Sequence, residues 1–498
     1  MIVAHDLGTT GDKASLHDDT GRTLATYTAE YPTRFGAEGV AEQDPEQWWT
    51  AVGDATRALL HQAGVGADEV AVVGLSGQMM GAVFLDENHR PLRPAIIWAD
   101  HRSQEQAARL LTAVGQETAY RELGHRIHPT YTLAKLMWVR DHEPEVWQRT
   151  RHVCVAKDFV VHRMTGTLVT DPSDASGTNA YDQVTGRWSQ RMLAAAGVEE
   201  DLLPPITPST TVVGGLTPEA AAATGLRSDT PVVLGGGDGP MAAVGAGVIS
   251  PDDTAYACLG SSSWISCSTE QPLHDQQMRS MTFNHVVPGH YVPTATMQAG
   301  GASLSWVMEL FGGGRDTYER LLAEAAAVPA ADEGLYFLPY LLGERSPNWN
   351  ANAAGTFVGL QRHHGPAHLV RAVLEGVAFN LRTCMGAFTD GGIRIECIDA
   401  IGGGAQSPVW MQVLADIWQV PVRQRTIVAD ANSLGAAVTA AVGVGLVEDF
   451  GVARSLSSLA AEYLPDQTRA DRSAEQHAVF LSAYERLEPW FDTRVVGR

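Results

Sequence analysis

One layout occurs twice in this chain, and it constrains the fold more than any other feature. Ile2 to Leu7 reads as a short apolar strand, Gly8-Thr9-Thr10-Gly11 as a turn of small and hydroxylated residues, and Lys13 to His17 as the returning strand. Asp18-Asp19-Thr20-Gly21 turns the chain again, into Thr23 to Thr28. Half a chain later, Thr254 to Leu259 is a strand, Gly260-Ser261-Ser262-Ser263 a small turn, and Trp264 to Ser268 the return. Such a duplication predicts two similar domains facing one another, each offering a hairpin turn to a shared cleft.

The length agrees, since 498 residues exceed one ordinary core. Gly, Ser and Pro cluster between Gly245 and Asp253, which divides the chain into domains 1–247 and 248–498. A helix is expected after Asp44, with Pro45 at its first position and Gln47 at its third in a capping-box-like start. Trp48, Val52, Ala55 and Leu59 then recur at helical spacing, and Gly64 closes the run. Val70 to Leu75 is nearly all apolar, as a strand covered on both faces would be. Strand and helix patterns alternate from there, so the class is α/β. From about 449 the chain reads as helices and a polar tail.

Charge narrows the function. There are 57 acidic residues against 35 basic ones, a formal net charge of −22, and only three lysines, Lys13, Lys135 and Lys157. A negative field of that size repels nucleic acid and anionic membranes. Hydrophobic content of 45% and charged content of 18% are those of a globular protein. Five cysteines without CxxC spacing argue against a disulfide framework or a structural zinc. The start of the chain has no basic segment followed by an apolar one, and no stretch approaches the roughly 18 apolar residues of a membrane span. These features predict a cytoplasmic protein.

Three glycine-rich junctions could carry chemistry. In the first hairpin the turn makes a concave anion nest, with Asp6 at its edge as a Mg²⁺ or phosphate residue and Lys13 returning toward it. Paired with the second turn at Gly260 to Ser263, it becomes a two-sided phosphate clamp. Gly235-Gly236-Gly237-Asp238-Gly239-Pro240 follows the apolar strand Val232 to Leu234 and places Asp238 where α/β folds build their sites. An Asp there could also be a plain helix cap, but a cap does not need three preceding glycines. Ile401-Gly402-Gly403-Gly404-Ala405-Gln406-Ser407-Pro408 is a third junction, with Ser407 capping the next helix. No P-loop, dinucleotide fingerprint or HExxH motif is present, and His363-His364 reads as a solvated loop pair.

Together these segments resemble the FGGY carbohydrate kinases, over nearly the whole chain. Asp6-Leu7-Gly8-Thr9-Thr10 is similar to the family's first phosphate motif and Leu259 to Ser263 to its second. Gly343-Glu344-Arg345-Ser346-Pro347 resembles its GERxP segment, Gly402 to Val422 its C-terminal signature, and Asn432 to Ala437 its closing helix. The resemblance implies two actin-like (ribonuclease-H-like) ATPase domains with an interdomain cleft, sugar held mainly by the first and ATP mainly by the second. Carried over, Asp238 is the catalytic base, and Asp6 with Asp238 assists Mg²⁺. Thr9, Thr10, Lys13, Gly260, Ser261, Ser262, Gly300, Gly403, Gly404, Ala405 and Asn432 would surround the nucleotide. The partner implied is a small-molecule sugar or polyol, and a homodimer is compatible with it.

Within the family, Ser76-Gly77-Gln78-Met79-Met80-Gly81 and Ile97 to Arg102 resemble the sugar-binding segments of xylulokinases. Gln78, Met79, Met80, Trp98, Asp100, Asp238 and Gly239 are therefore the expected sugar site. Met80 stands where those enzymes have histidine and Gly239 where they have asparagine, so another ketose or a short polyol stays open beside xylulose. A non-kinase actin-like ATPase would lack the sugar residues, and a binding-only relative would be expected to lose Asp6 or Asp238.

Overall fold

A computed structural model describes residues 1–426 and 430–493; residues 427–429 and 494–498, the end of the expected tail included, lie outside the described residues. In the first half, strands β1 (Ile2–Leu7), β2 (Gly11–His17) and β3 (Thr23–Glu30) form the expected antiparallel meander. Helix α1 (Pro45–Ala63) leads to β4 (Val72–Gly77), which runs parallel to β1 with Asp6 opposite Ser76. Asp44 caps α1 by accepting the N–H of Glu46, while the N–H of Gln47 goes to the Asp44 carbonyl, so the box expected from Gln47 is replaced by a simple Asp cap.

Helices α2 (Thr132–His142), α3 (Ala156–Thr165) and α4 (Pro172–Ser176) follow, then β5 (Val212–Gly215), β6 (Pro231–Val233), the two-residue β7 (Gly236–Gly237) and α5 (Asp238–Gly245). The sheet runs β5-β6-β4-β1-β2-β3, with β7 also paired to β4.

The second half repeats that plan. Strands β8 (Ala255–Leu259), β9 (Ser263–Ser266), β10 (Met281–Asn284) and β11 (Tyr291–Met297) make an antiparallel set, and α6 (Pro366–Asp390) crosses to β12 (Ile398–Ile401), parallel to β8. Helix α7 (Pro408–Trp418), capped by Ser407 through the Trp410 N–H, leads to β13 (Val422–Arg425), parallel to β12. Each sheet thus has a meander, two parallel strands, and an antiparallel edge strand beyond them.

In the second sheet that edge is β14 (Leu459–Tyr463), from the segment expected to be helices and polar tail. Helix α9 (Ala470–Thr493) does follow, and it buries Phe480, Tyr484 and Phe491 in the core of the second half. The tail is therefore a structural part of the second domain.

One helix crosses the division of the chain. Helix α8 (Ala431–Gly443) packs on β1 and β4 of the first sheet and against α5. The approach is close enough to require glycine: a Cβ on Gly435 would lie 2.1 Å from the Met241 carbonyl, and one on Gly245 1.9 Å from that of Ala431. No described helix is long and apolar enough to cross a membrane.

Candidate active site

The first hairpin ends at a carboxylate held from two directions. Ser76, opposite Asp6 on β4, donates its hydroxyl to Asp6 Oδ1 at 2.8 Å. Asn432, at the start of α8, donates its amide to Asp6 Oδ2 at 3.2 Å. Burial pushes the Asp6 carboxyl up to about 6, and the charge of Asp12 adds to this, while the bonds from Ser76 and Asn432 oppose it. Lys13, across the hairpin from Asp6, pairs with Asp430 just before α8.

The glycine junction is dictated by contact. Gly235 has φ +73°, and a Cβ there would lie 1.8 Å from the Leu75 carbonyl. Gly236 and Gly237 then pair in parallel with Ser76 and Gly77, on the opposite edge of β4 from β1, which brings Asp238 and Asp6 to the same end of the sheet with β4 between their strands. The cap position belongs to Gly237; Asp238 is the first residue of α5, and its carboxylate accepts the Gly239 N–H at 2.8 Å. Burial, and next the charge of Asp6, push the Asp238 carboxyl up to about 7.

In front of Asp238 lies a cavity of about 170 Å³ built from both halves. Met79, Met80, Met281 and Phe283 form its apolar side, with Trp98 and Trp264; Asp238, Gly239, Ser262, Thr294, Thr296, Arg345 and Asn432 complete the wall. Arg345 lies over the Trp98 ring at 5.7 Å, and its Nε donates to Gln298 Oε1 at 3.1 Å. Its loop is fixed by buried Glu344, which accepts the N–H groups of Gln298 and Arg345 and the Asn380 amide at 2.8, 2.9 and 3.1 Å. On the apolar side Met80 has φ +64°, strained for a side chain with a Cβ. The buried ammonium of Lys135 holds it there, donating to the Met80 carbonyl at 2.7 Å and to that of Thr130.

The expected sugar residues divide. Met79, Met80, Trp98, Asp238 and Gly239 line the cavity. Gln78 sits behind it, its amide donating to Gln43 Oε1 at 2.7 Å and to the Gly8 carbonyl at 3.3 Å. Asp100 is fully buried, taking the Ala41 N–H at 2.7 Å and the Arg102 guanidinium at 2.6 to 3.0 Å, and it does not line the cavity.

Of the expected nucleotide residues, Ser262 and Asn432 reach the same cavity. Thr9 accepts the Trp98 indole N–H at 2.9 Å, and Thr10 is exposed. The carbonyls of Gly260 and Ser261 take the N–H groups of Gly301 and Ala302, sewing the second hairpin onto a helix start. Gly300 leaves no room for a Cβ, which would sit 1.9 Å from Ser263 Oγ. Gly403 faces open space, while Gly404 packs on Trp410 and Ala405 is buried.

Arg345, Trp264, Met281, Phe283, Thr294 and Thr296 were outside the expected site. Arg345 had a signal, its place in Gly343 to Pro347; the others are strand residues whose alternation looks the same facing a core or a cavity.

A larger groove of about 1650 Å³ opens around Arg121, Glu122, Val184 and Arg187, and contains none of these residues. Of the histidine pair, His363 is exposed as expected and His364 is not. The His364 side chain is buried, and Nε2 of His363, His364 and His368 lie 3.1, 3.5 and 3.8 Å from Glu333 Oε2. Nδ1 of His364 and of His368 each accept a backbone N–H, so their Nε2 atoms carry the ring protons, which opposes metal ligation, and the hydrogen bond to Glu333 is made by His363.

Comparison with known proteins finds a family match in each half of the chain. The family model described as "FGGY family of carbohydrate kinases, N-terminal domain" matches residues 1–245, and its C-terminal counterpart matches residues 255–444. The xylulose kinase of Escherichia coli K12 is 35% identical over 489 residues, 98% of this chain and 99% of that one. The ligand-bound xylulose kinase structure from Lactobacillus acidophilus superposes with a TM-score of 0.93 at 28% identity, covering 99% of both chains. A gluconate kinase structure from the same organism gives 0.91 at 28% identity, covering 98% of both.

Proposed function

Because the chain belongs to the FGGY family of carbohydrate kinases, we propose that it phosphorylates a ketopentose such as xylulose with ATP, using Asp238 as the base. The observation that carries the reading is Asp238 itself, a carboxyl bordering a cavity built from both halves, with its proton affinity raised to about 7. A base poised there takes a hydroxyl proton near neutral pH. In the transfer, the sugar oxygen bonds to the γ-phosphorus, the bond from that phosphorus to the departing ADP oxygen breaks, and the hydroxyl proton passes to Asp238. Arg345, stacked on Trp98 and anchored through Glu344, orients sugar or phosphoryl oxygens from the facing wall.

Asp6 and Asp238 are oxygen donors whose acidities are weakened by burial and neighbouring negative charge, a set that suits Mg²⁺. When bound, that ion neutralises charge on the phosphoryl oxygens. Thr9, Thr10, Lys13, Gly260, Ser261, Gly300, Gly403, Gly404 and Ala405, with Ser262 and Asn432, are the proposed nucleotide surround. Their glycines give the backbone room to approach phosphates.

The likeness to a gluconate kinase favours one second reading, an aldonate whose carboxylate would face Arg345. A coupled ADP-release assay across xyluloses, ribuloses, ketohexoses, tetritols and gluconate decides between them. ADP release with no sugar, polyol or sugar acid above the ATP-only background would contradict the proposal.

A further inference from the structure

Behind the glycine junction lies a buried polar network that the proposed chemistry does not use. Lys157 on α3 has three carboxylates around its ammonium: Asp158 at 2.7 Å, Asp171 at 3.3 Å and Asp174 at 3.4 Å. All four side chains are inaccessible to solvent. Buried charges of this kind are costly unless paired, and three carboxyls cannot all be ionised around one ammonium. Burial accordingly holds Asp174 well above the usual carboxylate range.

Asp171, paired with Lys157 through Oδ1, collects donors on its other oxygen. Oδ2 accepts the Ser173 hydroxyl at 2.6 Å, the Ser209 hydroxyl at 2.7 Å and the Ser173 N–H at 3.0 Å. With its proton committed to Asp171, the Ser173 hydroxyl presents a lone pair on its other side. There it accepts the Gly237 N–H at 2.9 Å.

Gly237 is the residue before Asp238, and the glycines of this junction are shaped to the network. A Cβ on Gly236 would lie 2.6 Å from Ser173 Oγ and 3.2 Å from Asp171 Oδ2. One on Gly237 would lie 2.6 Å from Met79, so the peptide is wedged between the network and the cavity wall.

We infer that Ser173 is a positioning residue: oriented by Asp171 and anchored by Lys157, it fixes the Gly237 peptide and so sets the direction in which Asp238 leaves β7. The inference rests on the reading of Asp238 as the base. It also gives a reason for the middle glycine of the three, Gly236, where a Cβ would meet the Ser173 hydroxyl.

Ser209 supplies the control, because its hydroxyl binds the same Asp171 oxygen at a similar distance while Ser173 alone bridges to Gly237. The experiment is steady-state kinetics of Ser173→Ala and Ser209→Ala, each alone and combined with Asp238→Asn. Misplacing a base by a fraction of an ångström costs kcat, so Ser173→Ala should lose about 10- to 100-fold in kcat with KM for ATP within about twofold. Ser209→Ala should lose no more than about threefold, and Ser173→Ala should add less than about twofold once Asp238 is already Asn. Equal losses from the two serines, or the same loss from Ser173→Ala in both backgrounds, would make Ser173 merely structural and overturn the inference. Wild-type kcat in Asp238→Asn alone would instead sink the reading of the base. Ser173→Cys, which keeps the volume and weakens both hydrogen bonds, repeats the test if the alanine protein does not fold.

Discussion

The side chain of Asn432 donates to both oxygens of Asp6, at 3.2 and 3.4 Å, although the two residues are 426 positions apart in the chain. The contact joins the first strand of one half to the start of a helix contributed by the other. It also places one amide donor on a carboxylate that burial has made reluctant to ionise.

Removing that donor should weaken the site without unfolding it, since α8 is held by its small-residue packing on β4 and α5. An unpaired buried acceptor costs about 1–3 kcal/mol, so Asn432→Ala should lower kcat/KM for ATP by roughly 5- to 150-fold. Steady-state kinetics with circular dichroism as the folding control checks this. An unchanged kcat/KM would leave the contact without functional weight.

The pH dependence follows from the same carboxyls. With Asp238 raised to about 7 and Asp6 to about 6, the basic form of the pair accumulates as pH rises through that interval. Activity in kcat/KM for the sugar should therefore climb along an acid limb and level off above it, with apparent values belonging to the pair. The negative charge of Asp6 helps hold Asp238 high, so Asp6→Asn should move the remaining limb to lower pH. A limb that stays in place or moves up would contradict the coupling.

Lys135 offers a test that separates sugar from nucleotide. It lies outside the cavity wall, yet its ammonium anchors the Met80 carbonyl with that residue at φ +64°. Burial pulls the lysine down to about 7, with the charge of Asp100 opposing this and that of Arg102 adding to it. Lys135→Met keeps the bulk and leaves the Met80 and Thr130 carbonyls unpaired. The sugar KM should rise by about tenfold or more while the ATP KM holds, within the range an unmade buried hydrogen bond allows. Equal rises in both constants would indicate general loosening.

The duplication was legible because strand–turn–strand punctuation is local: Gly8 to Gly11 and Gly260 to Ser262 announce their own turns. Asp238 was legible for the same reason, through three glycines with steric causes in Leu75, Ser173 and Met79. What stayed hidden depends on tertiary pairing. Leu459–Tyr463, with two alanines and three exposed residues, has little strand propensity, and only its ladder with β13 makes it an edge strand. Met281, Phe283, Thr294 and Thr296 alternate as any half-buried strand does, and nothing in that alternation says that one face meets a cavity.

Met80 and Gly239 carry the prediction for substrate choice. Both line the cavity, beside Met281 and Phe283, so that wall offers no strong side-chain hydrogen bond where xylulokinase-like sequences have histidine and asparagine. A substrate with a hydroxyl missing or inverted on that side should outperform D-xylulose. The unmet hydroxyl costs about 1–3 kcal/mol, roughly 5- to 150-fold in kcat/KM. The comparison is D-xylulose against L-xylulose, the ribuloses, ketohexoses and tetritols, in the wild type and in Met80→His/Gly239→Asn. If the wild type already prefers D-xylulose and the double variant gains nothing, the two replacements are neutral.

The central claim is that Asp238 takes the proton of the phosphorylated hydroxyl, and replacing it by asparagine tests that most directly. Asn keeps the size and can still accept the Gly239 N–H, so α5 should start as before. Asp238→Asn should bind ATP with near wild-type affinity by calorimetry and lose roughly 10²- to 10⁴-fold in kcat, the usual worth of a positioned base. A folded Asp238→Asn protein that turns over at the wild-type rate would reduce Asp238 to a residue of the helix start and contradict the account.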